Sequence, residues 1–238
     1  MAKGGELRYF LQVVTAVFIG RYNLADRLAK ANILHQAVKD VFNGDPVLFP
    51  IPDEAPPEIP RIILASKDHK YLSTVAANRA EVIYNEQGTP NKDPLSIRDD
   101  YLKLINQFAK VFKLEWNDEI LRLGLLMNLV SFVENPVQLI MKSYIREGSM
   151  ANPQQLEVHS LVRIQLDDLG VNRWCRLSSL EMPGPTGVRQ ALRVVLDLNT
   201  PSEEGRAFTY DAIIGFYDRA SRYALSNLNL LFPGRSEV

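Results

Sequence analysis

The sequence predicts an α+β protein built from two tandem β-α-β-β-β-α units, with antiparallel sheets covered by helices. Three observations predict it. The order strand, helix, three strands, helix runs from about Leu7 to Phe112 and again from about Ile120 to Phe232. The pairs Asp93-Pro94 and Asn135-Pro136 each place a capping side chain before a proline at the first helical position. The strands within each unit are joined by connections too short for a parallel crossover, so they run antiparallel. The units are expected to span residues 1–116 and 117–238 of one globular body.

Taken in order, Leu7 to Ile19 reads as a strand apolar on both alternating faces, with Leu11, Val13 and Val17 on one and Phe10, Val14, Ala16 and Phe18 on the other. A strand of that kind is covered on both sides and central in its sheet. Asn23 is the expected N-cap of the first helix, whose stripe is Leu24, Leu28, Ala31, Leu34, Val38 and Val41, ending near Gly44. Residues 43–60 form a crossover in which Pro46 to Pro60 holds six prolines. Proline donates no ladder hydrogen bond, so an extended surface connection is expected.

Three short strands follow at Arg61 to Ser66, Tyr71 to Ala77 and Glu81 to Tyr84, with turns at Lys67 to Lys70 and at Asn78-Arg79. Tyr101, Leu104, Ile105, Phe108, Val111 and Phe112 mark the face of the second helix. Ile120 to Phe132 repeats the two-faced apolar strand, and the helix after Asn135 runs to about Ile145. Val158 to Leu166, Val171 to Leu180 and Leu192 to Leu198 are the closing strands, with turns at Asp168 to Gly170 and Met182 to Gly187. Thr209 caps the last helix, Phe208 is placed to staple onto Ile213, and Pro233-Gly234 ends it.

Composition narrows the function classes. A formal net charge of −1 and an isoelectric point near 6.3 provide no global field for polyanions, so any charged partner must be met by a local patch. The single cysteine, Cys175, cannot form an intramolecular disulfide, which suits a cytoplasmic setting, and it reads as an inert half-buried thiol. The apolar run Val13 to Ile19 is interrupted upstream by Glu6, Arg8 and Gln12 and is short of the roughly 20 residues of a span; no membrane association is expected.

No catalytic motif stands out. His35, His69 and His159 fit no zinc spacing, no glycine-rich phosphate loop occurs, and Ser178 and Ser179 lie outside any nucleophile elbow. No metal and no cofactor is expected. Strand alternation puts Glu157, His159, Arg163 and Asp167 opposite the apolar residues of one strand, with Arg189, Arg193 and Asp197 on the matching face of the last. Trp174 is an added anchor candidate, for which core packing is the competing expectation. The candidate binding residues are therefore His159, Arg163, Arg189, Arg193 and Trp174, against the alternative of a solvated face of cross-strand ion pairs.

The strand Phe10 to Phe18, the proline-rich crossover, the meander Arg61 to Tyr84, the segment Arg122-Leu123-Gly124-Leu125, the strand Val195-Leu196-Asp197 and the aromatic closing helix together resemble a sporadically distributed prokaryotic protein family of similar length. Members are sometimes encoded near mobile or defence genes. After Gly124 this chain carries Leu126 and Met127 where the family tends to an arginine and an aromatic. The resemblance implies an intracellular accessory protein and carries over no catalytic residue. The leading expectation is a non-enzymatic binding or scaffold protein, with a protein partner and a homodimer as the expected associations. The alternatives are a holdase-like chaperone and an enzyme acting on nucleotide or nucleic acid through Arg163, Arg189, Arg193 and His159.

Overall fold

The computed structural model describes residues 7–52, 54–145, 153–184, 187–202 and 207–232. The Lys3-Gly4-Gly5 segment, the terminating Pro233-Gly234 and the centre of the Met182 to Gly187 turn lie outside them. Strands β1 (Phe10–Arg21), β2 (Val47–Leu48), β3 (Ile62–Ala65), β4 (Tyr71–Val75), β5 (Arg79–Asn85), β6 (Glu119–Phe132), β7 (Glu157–Leu166), β8 (Leu169–Gly184) and β9 (Gly187–Asn199) form one sheet. Its order is β2-β3-β4-β5-β1-β6-β9-β8-β7, and every described pairing is antiparallel. Four α-helices accompany it among the described residues: α1 (Arg27–Val38), α2 (Pro94–Lys110), α3 (Pro136–Tyr144) and α4 (Tyr210–Ser226). The α+β class expected from sequence is observed.

Alternation decides the layering. One row across the sheet runs Leu64, Ser73, Val82, Ala16, Leu125, Leu198, Arg173, Val162. Its central members are buried in the main core with the apolar sides of the helices, including Leu34, Phe108, Ile140 and Phe216. The adjacent row runs Ala65, Leu72, Ile83, Thr15, Leu126, Asp197, Trp174, Leu161 and points the other way. No described helix covers that second face. β1 is central, as expected, but it is helix-covered on one side only: Val14, Ala16 and Phe18 are buried beneath helices, while Val13 and Val17 are half-buried on the open side. Their apolar character comes from neighbouring strands and not from a second helical layer. The expected grouping is corrected at the start of β1, where a register shift between Leu11 and Val13 puts Leu11 with Val14 on the helix side and Phe10 on the open side.

Capping follows local chemistry. The Asp93 side chain accepts from the Leu95 N–H, Asn135 from Gln138 and Thr209 from Ala212. For α1 the expected cap is corrected. Asp26, not Asn23, accepts from Ala29, and Asn23 instead accepts from Ala25 while its own N–H donates to Asp118 at 3.3 Å. The helix is thereby shifted, and Leu28 points out at 62% exposure.

The proline-rich crossover is also more ordered than its composition implies. β2 pairs with β3, and the buried Arg61 guanidinium donates to the carbonyls of Ile59 (3.0 Å), Pro52 and Ala55 (both 3.4 Å). A segment poor in its own N–H donors is held by a side chain that has five.

Past Lys110, helix α2 widens into a π-helical turn at Val111–Glu115, which buries Phe112 and delivers the chain to β6. Helices α2 and α4 pack on each other above β1 and β6, with Arg98 bonded to Asp218 and, at 3.0 Å, to Ser221. Between them lies a narrow apolar crevice of about 20 Å³ bordered by Leu11, Tyr101, Met127 and Tyr217. It has room for about one water molecule.

Candidate binding face

The five candidate residues lie on the open face. His159 and Arg163 come from β7, Trp174 from β8, Arg189 and Arg193 from β9, each at a position whose cross-strand partners also face away from the helices. Trp174 stands between Leu161 of β7 and Asp197 of β9. It is 46% exposed and Leu161 is 51% exposed, so the expectation of a core tryptophan is overturned. The reason is parity: Cys175 and Leu177 occupy the buried face of β8, which puts the even-numbered Trp174 outside.

Around this pair the polar groups are arranged in rows. Arg176 lies opposite His159, and Glu157 is bracketed by His159 Nε2 at 3.2 Å and Arg176 Nε at 3.3 Å. Arg193 Nε donates to Asn128 Oδ1 at 3.2 Å. Asn199 donates to Asp197 at 3.0 Å and lies in register with Asn172, which in turn faces Arg163. Arg163 makes no ion pair among the described residues. These pairs are about half exposed, where a single bridge contributes up to about 1 kcal/mol. Asp167, grouped with this face by alternation, is corrected: it occupies the hairpin turn at φ 55° and faces Arg219 of α4 at 3.4 Å.

Arg189 sits apart from the tryptophan, at the other end of the face. Its guanidinium stacks 4.0 Å from the centre of the Phe132 ring, beside a small apolar cluster of Val130, Leu180, Met182 and Ala191. Phe10 packs on Phe132 at 6.0 Å, and Arg8 lies 5.1 Å above Phe10. Arg189, Phe132, Phe10 and Arg8 border a shallow cleft of about 490 Å³. The structure thus brings His159, Arg163 and Trp174 together, sets Arg193 two rows away and leaves Arg189 at the rim. Leu161, Arg176 and Asn128 were not singled out from sequence. Leu161 was findable, because it is the apolar residue that breaks the polar alternation of Glu157, His159, Arg163 and Gln165.

The residues weighed for chemistry are placed elsewhere. His35 Nε2 is 3.0 Å from the Phe42 carbonyl, and His69 sits at φ 58° in the turn between β3 and β4. Among the described residues no three His, Cys, Asp or Glu side chains cluster as metal ligands would.

Cys175 is buried on the helix side of β8, and burial pushes its thiol up to about 11, with Arg173 drawing it slightly back. An ordinary thiol titrates near 8.5. The folded state therefore favours the neutral thiol. Its contribution is complete below about pH 8.5 and is lost as pH rises toward about 11. Between those limits, wild type is expected to lose stability with rising pH more steeply than Cys175→Ala in urea unfolding; parallel slopes would contradict it.

No family model, curated protein or solved structure matches the chain. No described helix is long and apolar enough to cross a membrane. The chain is an antiparallel α+β protein of two layers, with an arginine-bearing sheet face that no described helix covers.

Proposed function

We propose that this chain is a non-enzymatic binding or scaffold protein whose contact surface is the open sheet face, and that its partner is a protein presenting acidic groups around an apolar centre. The observation that carries this reading is the exposed Trp174–Leu161 pair, held on a rigid sheet among Arg163, Arg176 and His159. Tryptophan and arginine are the residues that most often dominate interface energies, and a sheet holds them at little entropic cost. The bordering arginines favour carboxylates over a neutral partner.

A cytoplasmic role as an accessory of a prokaryotic defence or stress operon rests on the family resemblance and on the lone, buried thiol. The tandem reading of the two β-α-β-β-β-α halves is supported by the strand order, in which β1 and β6 adjoin and the remaining strands extend outward from them.

Affinity capture from the native host, run with wild type and Trp174→Ala in parallel, tests the proposal. A stoichiometric protein partner that the variant binds about 30-fold more weakly is the expected result. Equal capture by both would remove the face from consideration. Many unrelated unfolded clients would favour the chaperone reading, and co-purifying nucleic acid would favour the nucleotide-directed one.

A further inference from the structure

Strand β7 ends the sheet. Among the described residues it pairs on one side only, with β8, through an uninterrupted ten-residue register that contains neither a bulge nor a proline. Edges this long are normally blunted by such devices, because their free main-chain groups template pairing with another strand. The two-residue turn Asp167-Asp168 makes Leu166 and Leu169 the closing hydrogen-bonded pair of the β7–β8 hairpin. Counting back in steps of two, Ile164, Val162, Ser160 and Val158 direct their main-chain groups to β8. Gln165, Arg163, Leu161, His159 and Glu157 direct theirs outward.

We propose that β7 binds β7 of a second copy of this chain, antiparallel, about a twofold axis passing between the two Ser160 residues. In that register Glu157 lies opposite Arg163, and the axis repeats the pair, giving two matched charge pairs on the open face. Val158 lies opposite Val162 on the helix side, and His159 opposite Leu161. The exposed side chains of Leu161 (51%) and Val162 (42%) each gain a cross-strand neighbour. All outward N–H and C=O groups of Glu157 to Arg163 find partners. Shifting the axis to Leu161 would instead face Arg163 with His159 and Glu157 with Gln165, forfeiting both charge matches. Registers offset by one residue oppose inward-directed to outward-directed groups and close no ladder. Two nine-stranded sheets thereby become one continuous sheet, with Trp174 still exposed on its open face.

Sedimentation equilibrium of the full chain, with charge reversals at the two complementary positions, tests the interface. Wild type is expected to reach twice the chain mass. Glu157→Arg or Arg163→Glu alone turns two attractions into two repulsions and is expected to raise the dimer dissociation constant roughly tenfold or more. The double variant, which restores opposite charges with exchanged positions, is expected to return to within about threefold of wild type. Its recovery separates interface loss from misfolding. In a Cys175→Ala background, chosen because Cys175 lies opposite Ser160 on β8, oxidised Ser160→Cys is expected to give a covalent dimer. A wild-type chain that stays monomeric at its solubility limit would overturn the proposal, as would a dimer indifferent to the reversals or a double variant that does not recover. The interface shares His159, Leu161 and Arg163 with the partner-binding face but not Trp174, so Trp174→Ala separates the two readings and is expected to leave the dimer intact.

Discussion

Phe112→Ala is expected to lower unfolding free energy by about 3–5 kcal/mol in urea titration, the range for deleting a fully buried ring. Phe112 is completely buried at the π-helical turn. Its ring meets Phe18 and Tyr22 at 5.3 Å, Phe108 at 5.8 Å and Trp116 at 5.3 Å. Four aromatic partners from β1, its trailing segment, α2 and the residue just after the turn leave little capacity to collapse into the void. Beyond transfer free energy, the cavity and the lost edge-to-face contacts add to the cost. Because Phe18 belongs to the central strand, the variant is expected to unfold as one cooperative transition at lower urea. A loss below about 1 kcal/mol would mean that the rings repack, contrary to the close packing described.

Tyr101→Phe is expected to cost about 1–3 kcal/mol, the penalty for leaving buried backbone groups without partners. The hydroxyl accepts from the Ala16 N–H at 2.7 Å and donates to the Val82 carbonyl at 2.6 Å. Ala16 and Val82 face each other across β1 and β5, so the phenol is wedged into the ladder in place of a direct bond. Burial raises the phenol well above its ordinary pKa, against the opposing pull of the Ala16 N–H, and so keeps it protonated as its donation to Val82 requires. Tyr217→Phe is the internal comparison. Its hydroxyl donates to the Val17 carbonyl at 2.7 Å and also meets the Gly124 backbone, Val17's partner across β1 and β6, so its removal is expected to cost a similar amount while leaving Ala16 untouched. Faster amide exchange at Ala16 in Tyr101→Phe but not in Tyr217→Phe would locate the effect; unchanged exchange at Ala16 in Tyr101→Phe would contradict it.

Much of the fold was legible because its signals are local. Asp93-Pro94, Asn135-Pro136 and Thr209 open their helices where the sequence places them, since a cap needs only its own next three residues. At α1 two capping side chains compete, and the decision fell to Asp118, which lies 95 residues from Asn23 in sequence and accepts its N–H. The ladder β2–β3 and the buried Arg61 escaped prediction for a similar reason. Proline density argues against strand, and only the folded arrangement shows which donor serves those carbonyls. Within the candidate face, His159, Arg163, Arg189, Arg193 and Trp174 share one side as period-two alternation requires. Asp167 departs because a turn residue at positive φ no longer obeys the strand period.

By itself the sequence determined the α+β class, the helix starts with strong caps and the parity of β7 and β9, because propensity, capping and alternation act over a few residues. Tertiary structure alone decided that both halves share one nine-stranded sheet and that Trp174 lies on the face of it that no described helix covers. Parity says which side chains point together, but not which direction is covered. That choice is made where α2 and α4 settle on β1 and β6, through contacts such as Tyr217 to Val17, 200 residues apart in the chain. Contacts of that separation depend on the burial of the whole apolar face, which no local window of residues contains.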